Sequence, residues 1–326
     1  MRLFCAVITI CFFLLSLFTG TADIPLKEVL KVLCGVSDNE VFSVIVLQHR
    51  LPQALTAFCA GSALAVSGLI MQTVFANPLA GPSVLGISSA SSLGAALVTF
   101  LFSSVLGGFN AALSVVIGSL IGSFVVLFLL VMLSKLLKNN LTLLIMGMMI
   151  SYLSGALVNV LNFFADEESL KNFTVWTSGS FSMVSLENLK VFLPILLTFS
   201  FIAFLFVKPL NLLLLGENYA LSLGVDVEKT KTLLLFISGV LTSFVTAFCG
   251  PVSFIGLCVP HIARIIFKTS DHKKLLPFTI VLGSCIALIC NVLTILPAQR
   301  GILPLNAVTP IFGVPVIVYV LIKKSR

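Results

Sequence analysis

Ten apolar runs, separated by short polar breaks, account for most of the chain. They fall at residues 3–19, 51–74, 88–106, 109–133, 141–165, 191–207, 232–248, 250–267, 275–296 and 305–322. A helix needs roughly 20 apolar residues to cross a bilayer. The pattern therefore predicts an all-α, polytopic membrane protein of about ten transmembrane helices. Pro52 suits the first turn of the second run, where its missing N–H costs nothing. Pro251, Gly256 and Pro260 interrupt the eighth run and predict a broken segment. Broken backbone at membrane depth must be buried in protein or line a cavity. Residues 76–86, ANPLAGPSVLG, predict a re-entry before the third helix. Helical spacing from Ile24 predicts a short interfacial helix in the first polar connection.

The longest polar-capped break in the second half is 208–231, KPLNLLLLGENYALSLGVDVEKTK. Two short apolar pieces, 212–215 and 220–223, are separated by Gly216, Glu217 and Asn218, and the second is ended by Gly224. Neither can span a bilayer. The spacing predicts two short amphipathic helices with a glycine break, lying at the membrane surface. An ordinary interhelical loop is the plainer reading of the same residues.

Polar positions inside the runs are few. Gln72 sits in the second and should face protein or water rather than lipid. The fifth run carries Gly147, Ser151, Ser154, Gly155, Asn159 and Asn162 at near-helical intervals, which predicts one small, polar side. Such a side packs tightly or lines water, and the two asparagines near one end favour a lined pathway. Met146, Met148 and Met149 lie on the same run, as pathway or as packing residues.

Composition agrees. Hydrophobic residues make up 59% of 326 and charged residues 10%, against about 25% charged in soluble domains. No polar stretch could bury a core of its own, so residues 1–326 read as a single transmembrane domain. The net charge of +7 comes without a run of five basic residues or any basic–aromatic interleaving, so no nucleic-acid partner is expected. With both termini inside, Lys and Arg divide twelve to six between inner and outer connections, with Arg264 at the border. That obeys the positive-inside rule and places 208–231 in the cytoplasm. The same topology favours an uncleaved first span over a cleaved signal peptide at 3–19.

The motifs of an enzyme are missing. There is no GxxxxGK[ST], HExxH or GxSxG. The eight cysteines form no CxxC and read as small apolar residues. The three histidines are scattered. His261 follows Pro260 and reads as a hydrogen-bonded structural residue ahead of a ligand, and no metal site is expected. Arg264, three residues on, shares its helical face. The chain is therefore read as a non-enzyme.

Several segments together resemble the FecCD-type permeases, the membrane subunits of ABC importers for iron–siderophores, haem and cobalamin. LGENYALSLGV is similar to that family's cytoplasmic coupling loop. HRLPQALTAFCAGSALAVSGLIMQTVFANPLAGPSVLGISSASSLGAAL resembles the signature around its second span. VWTSGSF, GPVSFIGLCVPHIAR, DHKKLLP and LPLNAVTPIFGVP resemble later elements, in order, out to residue 315. The resemblance implies a homodimer of permeases with two ATP-binding subunits inside and a periplasmic or lipid-anchored substrate-binding protein outside. It implies a bacterial inner-membrane location and no cofactor bound by this chain, since ATP belongs to the partner subunits. It further implies that Gly216, Glu217, Ala220, Leu223 and Gly224 form the ATPase-coupling loop. Arg50 and Arg300 would dock the binding protein. Gln72, Asn77, Leu79, Asn140, Thr142, Met146 and Asn159 would lie along the pathway and gate, and Pro260, His261 and Arg264 would form a structural motif. The sequence departs from the family pattern at Gln53, Asn291, Ile295, Ile302 and Asn306, where Arg, Asp, Arg, Glu and Gly are usual. An ion-coupled secondary transporter is the alternative. It is disfavoured because no Asp or Glu lies inside any run.

Overall fold

The computed structural model describes residues 2–37, 39–101, 111–137, 139–296 and 301–325, and among these all regular structure is helical. Helix α1 (Arg2–Phe18) is followed by the short α2 (Leu26–Leu33) and α3 (Glu40–Val44). A π-helical turn, Ile45–Arg50, runs straight into α4 (Leu51–Val74). Then come α5 (Ile87–Leu101), α6 (Ala111–Leu136), α7 (Asn140–Phe164), the short α8 (Glu167–Thr177) and α9 (Leu186–Leu205). Two short helices, α10 (Val207–Leu213) and α11 (Glu217–Ser222), precede α12 (Val227–Cys249). The chain continues with α13 (Ile255–Phe267), α14 (His272–Ile295) and α15 (Leu305–Ser325).

Among the described residues, six helices are long and apolar enough to cross a membrane. Four shorter apolar helices, Cys5–Phe18, Ile87–Leu101, Ile255–Phe267 and Leu305–Tyr319, coincide with the first, third, eighth and tenth apolar runs. Residue 254 marks why the eighth run is short. Residues 250–253 are non-helical, Phe254 has a φ of +67°, and the helix begins only at Ile255. A short helix, α2, forms where one is expected from Ile24. Two long helices begin five residues before their apolar runs, α9 at Leu186 and α12 at Val227. Helix α12 starts at Val227 because the Asp226 side chain caps it, accepting from Lys229 N at 3.1 Å. The last residues of the 208–231 break, Lys229 and Lys231, therefore belong to the first turns of a long helix.

The centre of the bundle is α4, of whose 24 residues 20 are buried. Small residues let its neighbours approach closely. A Cβ on Gly68 would overlap the backbone of Gly256 in α13, and one on Gly61 would overlap the Gly283 carbonyl in α14. Close backbone contact at small residues is the usual basis of helix association in lipid. Hydroxyls add to it: Ser67 Oγ lies 2.6 Å from Ser238 Oγ and 2.9 Å from Thr242 Oγ1, joining α4 to α12. Helix α1 belongs to the same bundle. Phe13 meets Phe58 edge-on at 6.4 Å, and Ser16 Oγ accepts from Asn291 of α14 at 2.7 Å.

Candidate functional site: the coupling face and its links to the bundle

Helices α10 and α11 form a compact pair. Gly216, at the N-cap of α11, has a φ of +109°, and Gly224, just past its end, has +82°. L side chains rarely adopt either conformation. After α11, Val225 N donates to Ala220 O at 3.1 Å and Gly224 N to Leu221 O at 3.0 Å, so the chain turns sharply and Asp226 can start α12. Hydrogen bonds from Lys229 hold the Asp226 carboxyl below its ordinary value. Ala220 is fully buried, whereas Leu214, Leu215, Tyr219, Leu221 and Leu223 are exposed. Five exposed apolar side chains thus neighbour one another on this short element.

Two polar links tie this face to the bundle. At α11, Glu217 Oε1 accepts from Lys231 Nζ of α12 at 2.5 Å and from Asn140 Nδ2 of α7 at 2.8 Å. Lys231 also donates to Asn140 Oδ1 at 2.7 Å, closing a triangle. Lys231 keeps only 14% of its side-chain surface in contact with solvent, so its ammonium depends on these two acceptors.

At α10, Asn211 Nδ2 donates to Asp271 Oδ1 at 2.7 Å, and Asn211 Oδ1 accepts from His272 N at 2.8 Å and from His272 Nδ1 at 2.9 Å. The other ring nitrogen of His272, Nε2, lies 2.9 Å from the Thr73 hydroxyl near the end of α4. His272 is completely buried. The donation from Asn211 holds the Asp271 carboxyl below its ordinary value. A carboxyl shifted down contributes stability above its unfolded value, near 3.9, and loses it as pH falls through the lower folded value. The Asn211–Asp271 bond is thus at full strength at neutral pH and weakens in acid, while the two bonds from His272 to Asn211 do not involve that carboxyl.

Beside this link, Gln72 is buried. Its Oε1 accepts from Arg264 Nη1 at 2.5 Å and its Nε2 donates to Leu257 O at 3.0 Å. His261 Nε2 donates to Pro78 O at 2.7 Å, and Asn77 Oδ1 accepts from Leu79 N at 2.9 Å. His261 and Arg264 therefore tie α13 to the 76–79 loop and to the end of α4.

The profile of the FecCD transport family matches residues 8–323. The chain belongs to the FecCD transport family. The hemin transport system permease protein HmuU of Yersinia pestis is 35% identical over 315 residues, covering 96% of this chain and 94% of that protein. The vitamin B12 import system permease protein BtuC of Klebsiella pneumoniae is 32% identical, covering 95% and 89%. The molybdate import system permease protein MolB of Haemophilus influenzae is 32% identical, covering 96% and 92%. Among solved structures, an ABC transporter assigned to the metal-chelate type, in an inward-facing conformation, superposes with a TM-score of 0.85 at 29% identity, covering 98% and 97%. This FecCD-family chain is a multi-pass membrane protein and an ABC importer permease; such subunits are not enzymes.

Within the family frame, the structure groups the expected site residues unevenly. Gly216, Glu217, Ala220, Leu223 and Gly224 share one element, and Asn140 is hydrogen-bonded to it. Thr142, Met146 and Asn159 are exposed on α7, and Leu79 is exposed on its loop. The polar positions of α7 form two stripes, not one side. Gly147 lies against Leu85, Ser151 pairs with Ser89 at 3.3 Å and Ser154 is buried, while Gly155 and Asn159 face outward. The intervals 147–151–154 and 155–159–162 each follow the helix, but roughly 80–100° apart by the helical repeat.

Arg50 is the clearest departure. It is 4% exposed, and its guanidinium donates to Leu17 O at 3.1 Å, Phe18 O at 3.0 Å and Ala22 O at 2.5 Å. In this arrangement Arg50 closes the corner after α1 instead of presenting a charge to a partner. Arg300 lies outside the described residues. Arg50→Gln is expected to lower thermal stability in detergent by on the order of 3 kcal/mol, through lost charge-assisted bonds and carbonyls left unpaired. An unchanged melting temperature, with weaker binding-protein association, would return Arg50 to docking.

Two departures from the family pattern meet in space. Gln53 Nε2 donates to Asn291 Oδ1 at 2.9 Å, so a neutral amide pair stands where the pattern has Arg and Asp. Asn306 also acquires a role. Its Nδ2 donates to Thr177 O at 3.1 Å and Pro251 O at 2.6 Å, and its Oδ1 accepts from Ser253 N at 3.2 Å, joining three of the sequence motifs. Lys231, Asn211, His272 and Thr73 were not singled out by sequence. DHKKLLP contains His272, but nothing in one sequence says that Asn211 reaches it.

Proposed function

We propose that this chain imports a metal chelate or a related compound of the class its relatives carry, driven by separate ATP-binding subunits that dock on α10 and α11. The observation that carries this reading is the Glu217–Lys231–Asn140 triangle. A push on the exposed Leu214–Leu223 face reaches α12 and α7 through it, and reaches α4 through Asn211 and His272. Helices move as stiff bodies, so the non-helical 76–86 and 250–254 segments would absorb the change. Two copies would assemble around the outward side of α7, whose Met146, Met149, Gly155 and Asn159 would line the route. A substrate-binding protein would deliver cargo at the outer face. All ten apolar segments would cross the inner membrane, with both termini in the cytoplasm, and the chain itself would bind no cofactor. The relatives span hemin, vitamin B12 and molybdate, so the binding protein, not the fold, would select the cargo. Family membership speaks against the ion-coupled alternative.

The docking surface is tested by placing a photo-crosslinking residue at Leu223 or Leu221. An adduct with the cognate ATP-binding subunit is expected at both. Adducts from Leu233 but from neither of these would place docking elsewhere.

A further inference from the structure

The coupling links leave one feature without a role. A cavity of about 980 Å³ opens between the ends of α4, α13 and α15 and the α10 segment. Arg264 and Lys268 line it, one turn apart, and no Asp or Glu does. Arg264 spends one donor on Gln72. Neither cation has an ion pair among the described residues. A guanidinium carries five N–H donors, so most of Arg264's remain for a ligand. Cations at a helix C-terminus also complement its dipole, which accounts for Lys268 in the exposed cap. It does not account for a second, half-buried cation set against an open space of this size. The rest of the lining is amphipathic: Ser270 supplies a hydroxyl, and Leu213 and Ile265 supply an apolar wall.

We propose that this cavity binds a phosphate-bearing anion, with Arg264 and Lys268 as its ligands. A planar guanidinium meets two phosphate oxygens at once, and an ammonium adds a point charge. A phospholipid headgroup would satisfy the cationic end and the apolar wall together. Inorganic phosphate would satisfy only the former. Basic pockets between membrane helices on the inner side hold anionic headgroups in this way. The site rests on the reading above only for the choice of leaflet, and binding is measured without transport, so the two can fail separately.

The test uses the full chain in nanodiscs of mixed phosphatidylglycerol and phosphatidylcholine, with retained lipid counted by native mass spectrometry. Phosphatidylglycerol is expected to be retained preferentially. Lys268 sits in a left-handed cap at φ +48°, which Asn tolerates. Lys268→Asn should weaken retention about tenfold, the loss of one charge-assisted bond. Arg264→Lys, which keeps the charge but loses the fork, should weaken it too. A thermal shift with inorganic phosphate in neutral detergent, lost in Lys268→Asn and without lipid preference, would support the site with a soluble source. Equal retention by wild type and both variants, or no response of the wild type to either probe, would overturn it.

Discussion

Reversing the charge at Glu217 is expected to abolish coupling while leaving the protein folded. Glu217 is the single acceptor shared by Lys231 and Asn140 across α11, α12 and α7. Its side chain is 42% exposed, so a lysine there can turn to water, and Lys231, at 14%, keeps Asn140 Oδ1 as an acceptor. Glu217→Lys should therefore reach the membrane at normal levels. It sets two ammonium groups against each other and releases α11 from both long helices. Substrate uptake should fall at least about tenfold, the effect of roughly 1.4 kcal/mol on the coupled state. The swap Glu217→Lys with Lys231→Glu should recover part of it, because the pair is restored although the Asn140 contact is not. Leu223, exposed on the same element, gives the complementary test: Leu223→Asp should lose ATPase attachment rather than the internal link. Uptake in cells checks the first effect, and a double-mutant cycle on uptake rates isolates the pair. Unchanged uptake in Glu217→Lys would remove the triangle from the mechanism.

Gly68→Ala should be among the most damaging single substitutions in the chain. The added Cβ would run into the carbonyl and Cα of Gly256, which are backbone atoms on a neighbouring helix. No side chain can rotate away to relieve the overlap. Overpacking typically costs about 1–3 kcal/mol, and rigid neighbours push towards the top of that range or beyond. The expected result is a melting temperature too low for purification, or a sharp drop in membrane level. Gly155→Ala is the control. Nothing lies within 4 Å of its Cβ position, and alanine is the better helix former by about 1 kcal/mol. It should be neutral or stabilising in the monomeric chain. If Gly68→Ala melts like wild type, α4 and α13 do not pack as described.

The apolar runs were legible because bilayer thickness fixes helix length, so hydropathy alone located the long helices among the described residues, with α9 and α12 starting five residues ahead of their runs. Gly216 and Gly224 were legible for a related reason. A backbone turn that needs positive φ leaves a glycine in the sequence. The start of α12 was displaced because capping by Asp226, not hydropathy, decides where a helix begins. The carbonyl partners of Arg50 were hidden for another cause. An arginine at the start of a span looks the same whether it meets solvent or three carbonyls of a folded-back corner. The polar links were the least legible. Asn211 and His272 are 61 residues apart, and Asn140 and Glu217 are 77 apart. Only the packing of α10, α11 and the long helices brings them together. The family pattern named the elements, and two of its exceptions, Gln53 and Asn291, touch.

The most direct measurement is substrate uptake into proteoliposomes holding the chain with its cognate ATP-binding subunit and binding protein, with proton and sodium gradients collapsed by ionophores. Uptake that requires ATP and is indifferent to the ionophores is the predicted result. Uptake driven by an ion gradient with no ATP-binding subunit present would contradict the assignment of α10 and α11 as the point where ATP hydrolysis acts.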